Sequence, residues 1–125
     1  MNQTNKTGAV KSYKDLIVWQ TSFELVAQVY KKTSELPKSE IYGLTNQMRR
    51  SAVSIPSNIA EGQQRHNTKE YTHFLGIARG SAGELETQLL LVAKIFGLNT
   101  EEEINLLHEI QKMLHAIYRK LSTSH

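Results

Sequence analysis

Residues 49–62 of this chain combine a helical pattern of apolar residues with a proline inside that pattern. Ala52, Ile55 and Ile59 are three and four positions apart, which predicts a helix with one apolar face. Pro56 has no backbone N–H, and its ring crowds the preceding turn, so we expect it to bend the helix or to end its regular hydrogen bonding near Ala52. An interior proline costs about 3 kcal/mol. Close packing must offset this cost, and the rest of the chain is predicted to supply three partner helices.

Length and composition limit the class of protein. The chain has 125 residues, of which 39% are hydrophobic, and this is enough for one domain with one core. It contains no cysteine, which excludes disulfides and thiolate metal sites and fits a reducing compartment. No apolar run approaches the roughly 20 residues that span a membrane, and the N-terminus lacks a secretory signal. We therefore expect a cytoplasmic protein with no membrane partner.

The first two helices are predicted from apolar spacing and from their end signals. The first should begin near Asp15 and stop at Leu36, because the residue before a proline avoids the helical region. Its apolar seam is predicted to be Trp19, Phe23, Val26, Tyr30 and Thr33, on a face that Leu16, Leu25 and Val29 widen. The second helix is predicted over residues 40–61, with Gly62 as its C-terminal stop.

The third and fourth helices have the most regular seams. The third, over residues 69–96, has the seam Tyr71, Leu75, Ala78, Ala82, Leu85, Leu89, Val92 and Phe96. Gly97 should end it, and Thr100 should begin the fourth helix as the N-cap of a capping box completed by Glu103. The fourth seam is Glu103, Leu107, Ile110, Leu114, Ile117 and Leu121.

No stretch shows the alternation of a strand, so the sequence predicts an all-α, antiparallel up-down-up-down four-helix bundle. The bundle is expected to occupy residues 13–121. Residues 1–12 are predicted to form a disordered N-terminal arm and residues 122–125 a frayed tail.

Small and polar residues accompany the seams of the second and third helices. A glycine stripe on the third helix would let a backbone approach closely, either from another helix of the bundle or from a second subunit. Polar side chains could form a network that fixes helix register, or could line a subunit interface. These are Ser51, Ser54, Asn58, Glu61, Ser81, Glu84 and Gln88. A structural or interface role, rather than a ligand site, is predicted for Pro56, Asn58, Glu61, Gly76, Gly80, Gly83 and Glu84.

Positive charge is concentrated in the first half of the chain. The formal net charge is +3, and residues 1–66 hold nine Lys or Arg against five Asp or Glu. Basic side chains that converge in space attract phosphates. The candidate nucleic-acid-binding residues are Arg49, Arg50, Arg65, His66, Lys69 and Arg79. The alternative is that each is a solvated charge or pairs with a glutamate. The aromatic residues on the predicted seams argue against base stacking.

The sequence offers little for catalysis. It has one Glu-x-x-His motif, at residues 70–73, whereas a di-iron bundle needs two. His108 and His115 lie on one side of the fourth helix with no evident third metal ligand. Arg119 and His125 have the spacing of an Arg-x5-His ribonuclease motif, but they straddle the chain end, where neither would be held in position. We therefore predict no cofactor, no metal and no enzymatic activity.

Several runs resemble the four-helix-bundle proteins encoded in 23S rRNA intervening sequences. These runs are LIVWQ at residues 16–20, YGL at 42–44, QMRRSAVSIPSNIAEG at 47–62 and FLGIARGSAGEL at 74–85. The resemblance covers about residues 14–118, and the SIPSNIAEG run is its most specific part. A related branch is the accessory protein of diversity-generating retroelements.

The resemblance implies an antiparallel four-helix bundle that assembles as a homopentamer with a basic surface, and no catalytic activity is attached to the family. In the retroelement branch it implies binding of a reverse transcriptase and nucleic acid. The sequence therefore predicts a non-enzymatic oligomer that binds RNA, DNA or a nucleic-acid-associated protein through a basic surface. The alternative is a purely structural protein–protein interaction scaffold with no nucleic-acid role.

Overall fold

The computed structural model describes residues 11–123, and four helices occupy most of that range. They are α1 (Ile17–Thr33), α2 (Leu44–Gln63), α3 (Thr68–Phe96) and α4 (Glu101–Thr123). Successive helices pack side by side and α1 also packs on α4, which closes the four around one apolar core. Within the described range there is no strand. The predicted all-α four-helix bundle is confirmed.

The predicted seams of α3 and α4 are the sides that face the core. Every member of both seams is buried or half-buried, including the carboxylate residue Glu103. On α2, Met48, Ala52, Ile55 and Ile59 are fully buried. A helix with a single apolar stripe has only one way to remove that stripe from water, so its orientation follows from the sequence.

The predicted apolar face of α1 is correct in part, since Thr33 is buried, Trp19 and Val26 pack against the core, and the flanking Leu25 and Val29 are fully buried. The buried residues of α1 are Val18, Ser22, Leu25, Val29 and Thr33. Phe23 is instead 62% exposed and Tyr30 is 44% exposed. Two adjacent faces of α1 are apolar, and both satisfy the helical spacing. The aliphatic face fills the core, and the aromatic face lies at the edge of the core. There the half-buried Trp19 packs against the core, and its ring stacks on that of Phe23 with centroids 5.0 Å apart.

The helix ends differ from prediction at α1, α2 and α4. A 3-10 turn at Tyr13–Asp15 precedes α1, and another at Lys38–Glu40 precedes α2, so both helices begin later than expected. The expected capping box of α4 does not close in the predicted way. The Thr100 hydroxyl donates to the Leu89 carbonyl at 3.3 Å, and Glu103 Oε1 is buried with no hydrogen-bond partner among residues 11–123. Both side chains are drawn into the bundle, and Asn99 Oδ1 accepts from the Glu101 N–H instead.

Gly62 and Gly97, the two predicted helix-ending glycines, have different roles in the structure. Gly97 has φ 69° and ends α3, as predicted. Gly62 does not end α2, because the helix continues to Gln63. A methyl group on Gly62 would lie 2.9 Å from Phe74 Cβ and 3.2 Å from the Tyr71 carbonyl oxygen. Glycine is needed at position 62 because α3 passes directly over it.

The glycine stripe of α3 does not pack against another helix of the bundle. A methyl group on Gly76, Gly80 or Gly83 would meet no atom of the described residues within 4 Å. The first alternative for the stripe is therefore wrong, and contact with a second subunit stays a prediction. Pro56, by contrast, is buried, and α2 continues through it instead of ending near Ala52.

The ends of the chain are only partly described. Residues 1–10 of the predicted arm lie outside the described range. Ser12, which was also assigned to the arm, caps the 3-10 turn before α1. In the predicted tail, α4 continues to Thr123, and residues 124 and 125 fall outside the range, so the Arg119–His125 pair has no described geometry. Within residues 11–123, no helix is long and apolar enough to cross a membrane.

We expect two glycine-to-alanine substitutions to have opposite effects on stability. Gly62→Ala should lower the free energy of unfolding by about 1–3 kcal/mol, because the added methyl overlaps the Phe74 and Tyr71 contacts. Gly83→Ala should raise it by about 0.5–1 kcal/mol, because the methyl enters open space and alanine favours helix. Urea unfolding of both variants measures the difference. Equal or greater stability of Gly62→Ala would contradict the close approach at this position.

Candidate nucleic-acid interface

A groove runs along the surface between α3 and α4, and we call it the α3–α4 groove. The part near the start of α3 measures about 800 Å³ and is lined by Lys69, Thr72, His73, Gly76, Ile77, Tyr118 and Ser122. It continues into a second part of about 450 Å³, lined by Gly76, Arg79, Gly80, Gln111 and His115. Gly76 lines both parts, so they form one continuous feature.

Helical spacing explains why these residues line one groove. On α3, residues 69, 73, 76 and 80 are four, three and four apart, which places them on one face. On α4, residues 111, 115, 118 and 122 have the same spacing and lie opposite. Gly76 and Gly80 contribute no side chain, so the groove floor there is the helix backbone itself. A ligand can therefore approach α3 more closely than a helix normally permits.

The lining of the groove is basic. Lys69 and Arg79 are its two charged members and His73 and His115 its two imidazoles, and none of the described residues in the lining is acidic. The Arg79 guanidinium lies 4.9 Å from the centroid of the Tyr118 ring. This cation–π contact joins α3 to α4 and holds the guanidinium beside the groove.

Glu86 lies beside the groove and is held by α4. The Glu86 carboxylate lies 3.0 Å from His108 Nε2, and its other oxygen accepts from Gln111 Nε2 at 3.2 Å. The hydrogen bonds from His108 and Gln111 lower the pKa of the Glu86 carboxyl, with a smaller contribution from the charge of His108. This acid is therefore engaged with its own two partners.

The six predicted basic residues do not form one cluster. Arg49 is half-buried against α1, where Nε donates to Thr33 Oγ1 at 2.9 Å and the guanidinium lies 4.5 Å from the Tyr30 ring centroid. Arg50 is exposed on another side of the bundle, in a polar recess that Glu84 also lines. Arg49 therefore joins two helices, and Arg50 faces away from the α3–α4 groove.

Arg65 and His66 lie at the end of the bundle where α2 leads into α3. Arg65 pairs with Glu61 and Glu70, and its guanidinium lies 4.7 Å from the Phe74 ring centroid. His66 is exposed in the connecting turn. Of the six predicted residues, only Lys69 and Arg79 line the groove.

Sequence reasoning missed His73, Gln111, His115 and Tyr118 as groove residues. The usable signal was the polar stripe of α4, whose three- and four-residue spacing mirrors the glycine stripe of α3. The glycines were instead interpreted as packing residues. Their open environment is what makes a groove of this surface.

The predicted polar network is present in part between α2 and α3. Ser54 Oγ and Ser81 Oγ are 2.7 Å apart, and Asn58 Nδ2 donates to the Ser54 hydroxyl at 2.9 Å and to its carbonyl at 2.8 Å. Glu61 pairs with Arg65 instead, and Glu84 is exposed. The half-buried serine pair therefore fixes the register of α2 on α3. Among the described residues, no three His, Cys, Asp or Glu side chains are arranged to hold a metal ion.

Comparison with known proteins gives a family model and a related structure. The model described as "23S rRNA-intervening sequence protein" matches residues 14–119. The chain is similar to a crystal structure from Bacteroides thetaiotaomicron, described as a protein of unknown function from the S23 ribosomal protein family. The two share 25% sequence identity with a TM-score of 0.73, and the match covers 82% of this chain and 98% of the other. No curated protein matches.

We expect the pKa of Glu86 to depend on its partners on α4. His108→Ala removes the main hydrogen bond that lowers this pKa, so the pKa should rise toward its ordinary value. Because the folded-state pKa is lowered, the contact stabilises the fold above the unfolded-state pKa of Glu86. That stabilisation is lost as the pH falls through the folded-state value.

Carbon-13 NMR titration of the Glu86 carboxyl measures the change, with the exposed Glu109 as the internal control in the same spectra. The stability difference between wild type and His108→Ala should shrink in acid. An unchanged Glu86 titration in the variant would refute the contact.

Proposed function

Because the chain belongs to the 23S rRNA-intervening sequence protein family, we propose that it is a non-enzymatic nucleic-acid-binding protein whose α3–α4 groove takes a phosphate backbone. The observation that carries the proposal is the basic lining of this groove over a floor of bare helix backbone. A cytoplasmic location, where such a ligand is available, is part of the proposal.

The groove chemistry suits phosphates better than bases. The Arg79 guanidinium offers a planar fork of donors, and the Lys69 ammonium offers a mobile point charge. The glycines at 76 and 80 leave room for a bulky sugar–phosphate chain against α3. The Tyr118 ring is engaged by Arg79, so it is not a free platform for base stacking. We therefore expect salt-dependent binding with little sequence preference.

Self-association is the second part of the proposal. Large apolar side chains are exposed on two surfaces, and water contact with them is unfavourable. Phe23, 62% exposed, borders an apolar recess of about 450 Å³ between α1 and α2 that Val53 and Pro56 also line. On α3, Leu91 and Ile95 are 42% and 58% exposed and, being four residues apart, share one face of the helix, next to Leu90 with 54% exposed. A homopentamer would cover such surfaces and would repeat the modest charge of each groove around a ring.

Partner binding through these same apolar surfaces is the competing function. In that case the chain is a protein–protein scaffold with no nucleic-acid role. If the gene lies in a retroelement, a reverse transcriptase is the partner to test first. Salt dependence separates the two functions, because phosphate contacts release counterions and apolar contacts do not.

We expect the chain to bind a fluorescein-labelled single-stranded RNA in fluorescence anisotropy. Affinity should fall steeply between about 50 and about 200 mM KCl, because each neutralised phosphate releases a counterion. The double variant Lys69→Glu/Arg79→Glu should lose at least about tenfold in affinity and should show a shallower salt dependence.

The matched control is Lys38→Glu/Arg50→Glu, which makes the same change in net charge on exposed residues outside the groove. Thermal unfolding checks that both double variants are folded. An equal loss of affinity in both would show that RNA responds to net charge and not to the groove. RNA binding that survives the groove variant unchanged would refute the proposed site.

We expect light scattering to give the mass of a homopentamer at micromolar concentration. The double variant Phe23→Ser/Ile95→Ser should shift this mass toward the monomer, because it removes two exposed apolar side chains without opening the core. Tyr42→Ser is the control, since Tyr42 is 91% exposed and borders neither apolar surface. A monomeric wild-type chain would remove the ring from the proposal.

A further inference from the structure

A polar recess lies on the surface between α2 and α3, and we call it the α2–α3 recess. It measures about 390 Å³, which is within the roughly 300–1,000 Å³ of small-molecule sites. Every residue of its lining has a polar side chain, and the two charged ones are Arg50 and Glu84. No residue of this lining belongs to the α3–α4 groove, so the recess is a separate feature of the surface.

The Ser54–Ser81 hydrogen bond fixes which turns of α2 and α3 face each other at the recess. The connection between the two helices is short, so they run antiparallel. One turn back from Ser54 along α2 therefore lies level with one turn forward from Ser81 along α3. The first of these turns carries Arg50 and Ser51, and the second carries Glu84. The guanidinium and the carboxylate thus belong to opposite walls of the recess at the same level.

Arg50 and Glu84 are not paired across the recess. Within residues 11–123, neither side chain forms an ion pair or a hydrogen bond. Facing side chains of opposite charge form an ion pair when their charged groups meet. The recess therefore presents one positive and one negative group with space between them.

The serines of the lining leave hydroxyl donors at the recess. Ser51 is only 4% exposed, yet its hydroxyl has no partner in the described part of the chain and keeps accessible surface on the side that lines the recess. Ser54 Oγ accepts from Asn58 Nδ2, and Ser54 and Ser81 share one hydrogen bond. Two hydroxyl protons are present and the bond between the serines uses one, so one proton remains for an outside acceptor. Because polar groups this well buried are nearly always paired, the Ser51 hydroxyl in particular calls for a ligand.

We propose that the α2–α3 recess binds a free α-amino acid with a polar, uncharged side chain. The Arg50 guanidinium and the Ser51 hydroxyl donate to the α-carboxylate, and the Glu84 carboxylate accepts from the α-ammonium group. Asn46 and Gln47 line the same recess, and their amides offer donors and acceptors to the side chain of the ligand. A purely anionic ligand would be repelled by Glu84 and a purely cationic one by Arg50, so charge complementarity favours a zwitterion.

The first test is isothermal titration calorimetry of the full chain with L-asparagine, L-glutamine, L-serine and L-threonine. The buffer contains about 150 mM KCl, which largely screens diffuse attraction to surface charge. Saturable one-site binding of at least one of the four is expected, together with a higher melting temperature in its presence. Absence of saturable binding by all four would overturn the proposal, whatever the result of the RNA experiments on the groove.

The second test pairs changes in the protein with changes in the ligand. The amino acid that binds best is compared with its N-acetyl form and its α-amide form, each of which lacks one charge and should bind at least about tenfold more weakly. Arg50→Gln should weaken binding of the free amino acid by a similar factor and should have no further effect on the α-amide. Glu84→Gln should behave in the same way with the N-acetyl form. Losses that multiply in these combinations would show that the charges do not meet as proposed.

The matched controls are Lys112→Gln and Glu109→Gln, which make the same charge changes on exposed residues of α4 outside the recess and should bind as wild type does. Ser51→Ala removes a hydroxyl with no internal partner, so it should weaken binding severalfold with no loss of melting temperature. Equal weakening by the control variants would overturn the proposal. A Ser51→Ala protein with a lower melting temperature and unchanged affinity would do the same, because the hydroxyl would then be structural.

Discussion

The close approach of α2 and α3 at Gly62 is the contact on which the arrangement of this bundle depends. With no side chain at that position, the first turns of α3 lie directly on the last turn of α2, against Tyr71 and Phe74. Further along the two helices, the Ser54–Ser81 hydrogen bond fixes their register at 2.7 Å. A steric constraint and a polar one therefore act on the same pair of helices, and α1 and α4 complete the core around them.

The sequence predicts which face of a helix turns toward the core when one apolar row is clearly longer than any other, and fails when two faces are equally apolar. The seams of α3 and α4 are predicted correctly because each is an unbroken row along most of its helix, whereas the other apolar side chains of α3, such as Leu90 and Ile95, do not form a row of that length. The orientation of α1 is not predicted correctly, because its aliphatic and aromatic faces have the same helical periodicity. Only packing against the neighbouring helices selects the aliphatic face for the core. Glycines pose a similar problem. The sequence around Gly62 and Gly76 does not reveal which of the two is covered. In the structure Gly62 is covered by α3, whereas Gly76 faces open space.

The candidate site was predictable only in part for the same reason. Lys69 and Arg79 were identified from charge alone, but their grouping with His73 and His115 requires α4 to lie alongside α3. Arg49 shows the opposite case. Its charge suggested a surface role, whereas its contacts with Tyr30 and Thr33 make it part of the α1–α2 packing. Tertiary structure thus separates basic residues that connect helices from those that remain available to a ligand.

The exposed glycines of α3 also affect how the protein moves. A helix of 29 residues with glycines at three positions of its central turns has its weakest intrinsic helix propensity in the middle instead of at its ends. The backbone at these glycines lies on an open face, so local opening at these turns should be easier than it would be with alanine at the same positions. The surface proposed for phosphates would then coincide with turns of low helix propensity in the longest helix, and a ligand that occupies it would order those turns at an entropic cost.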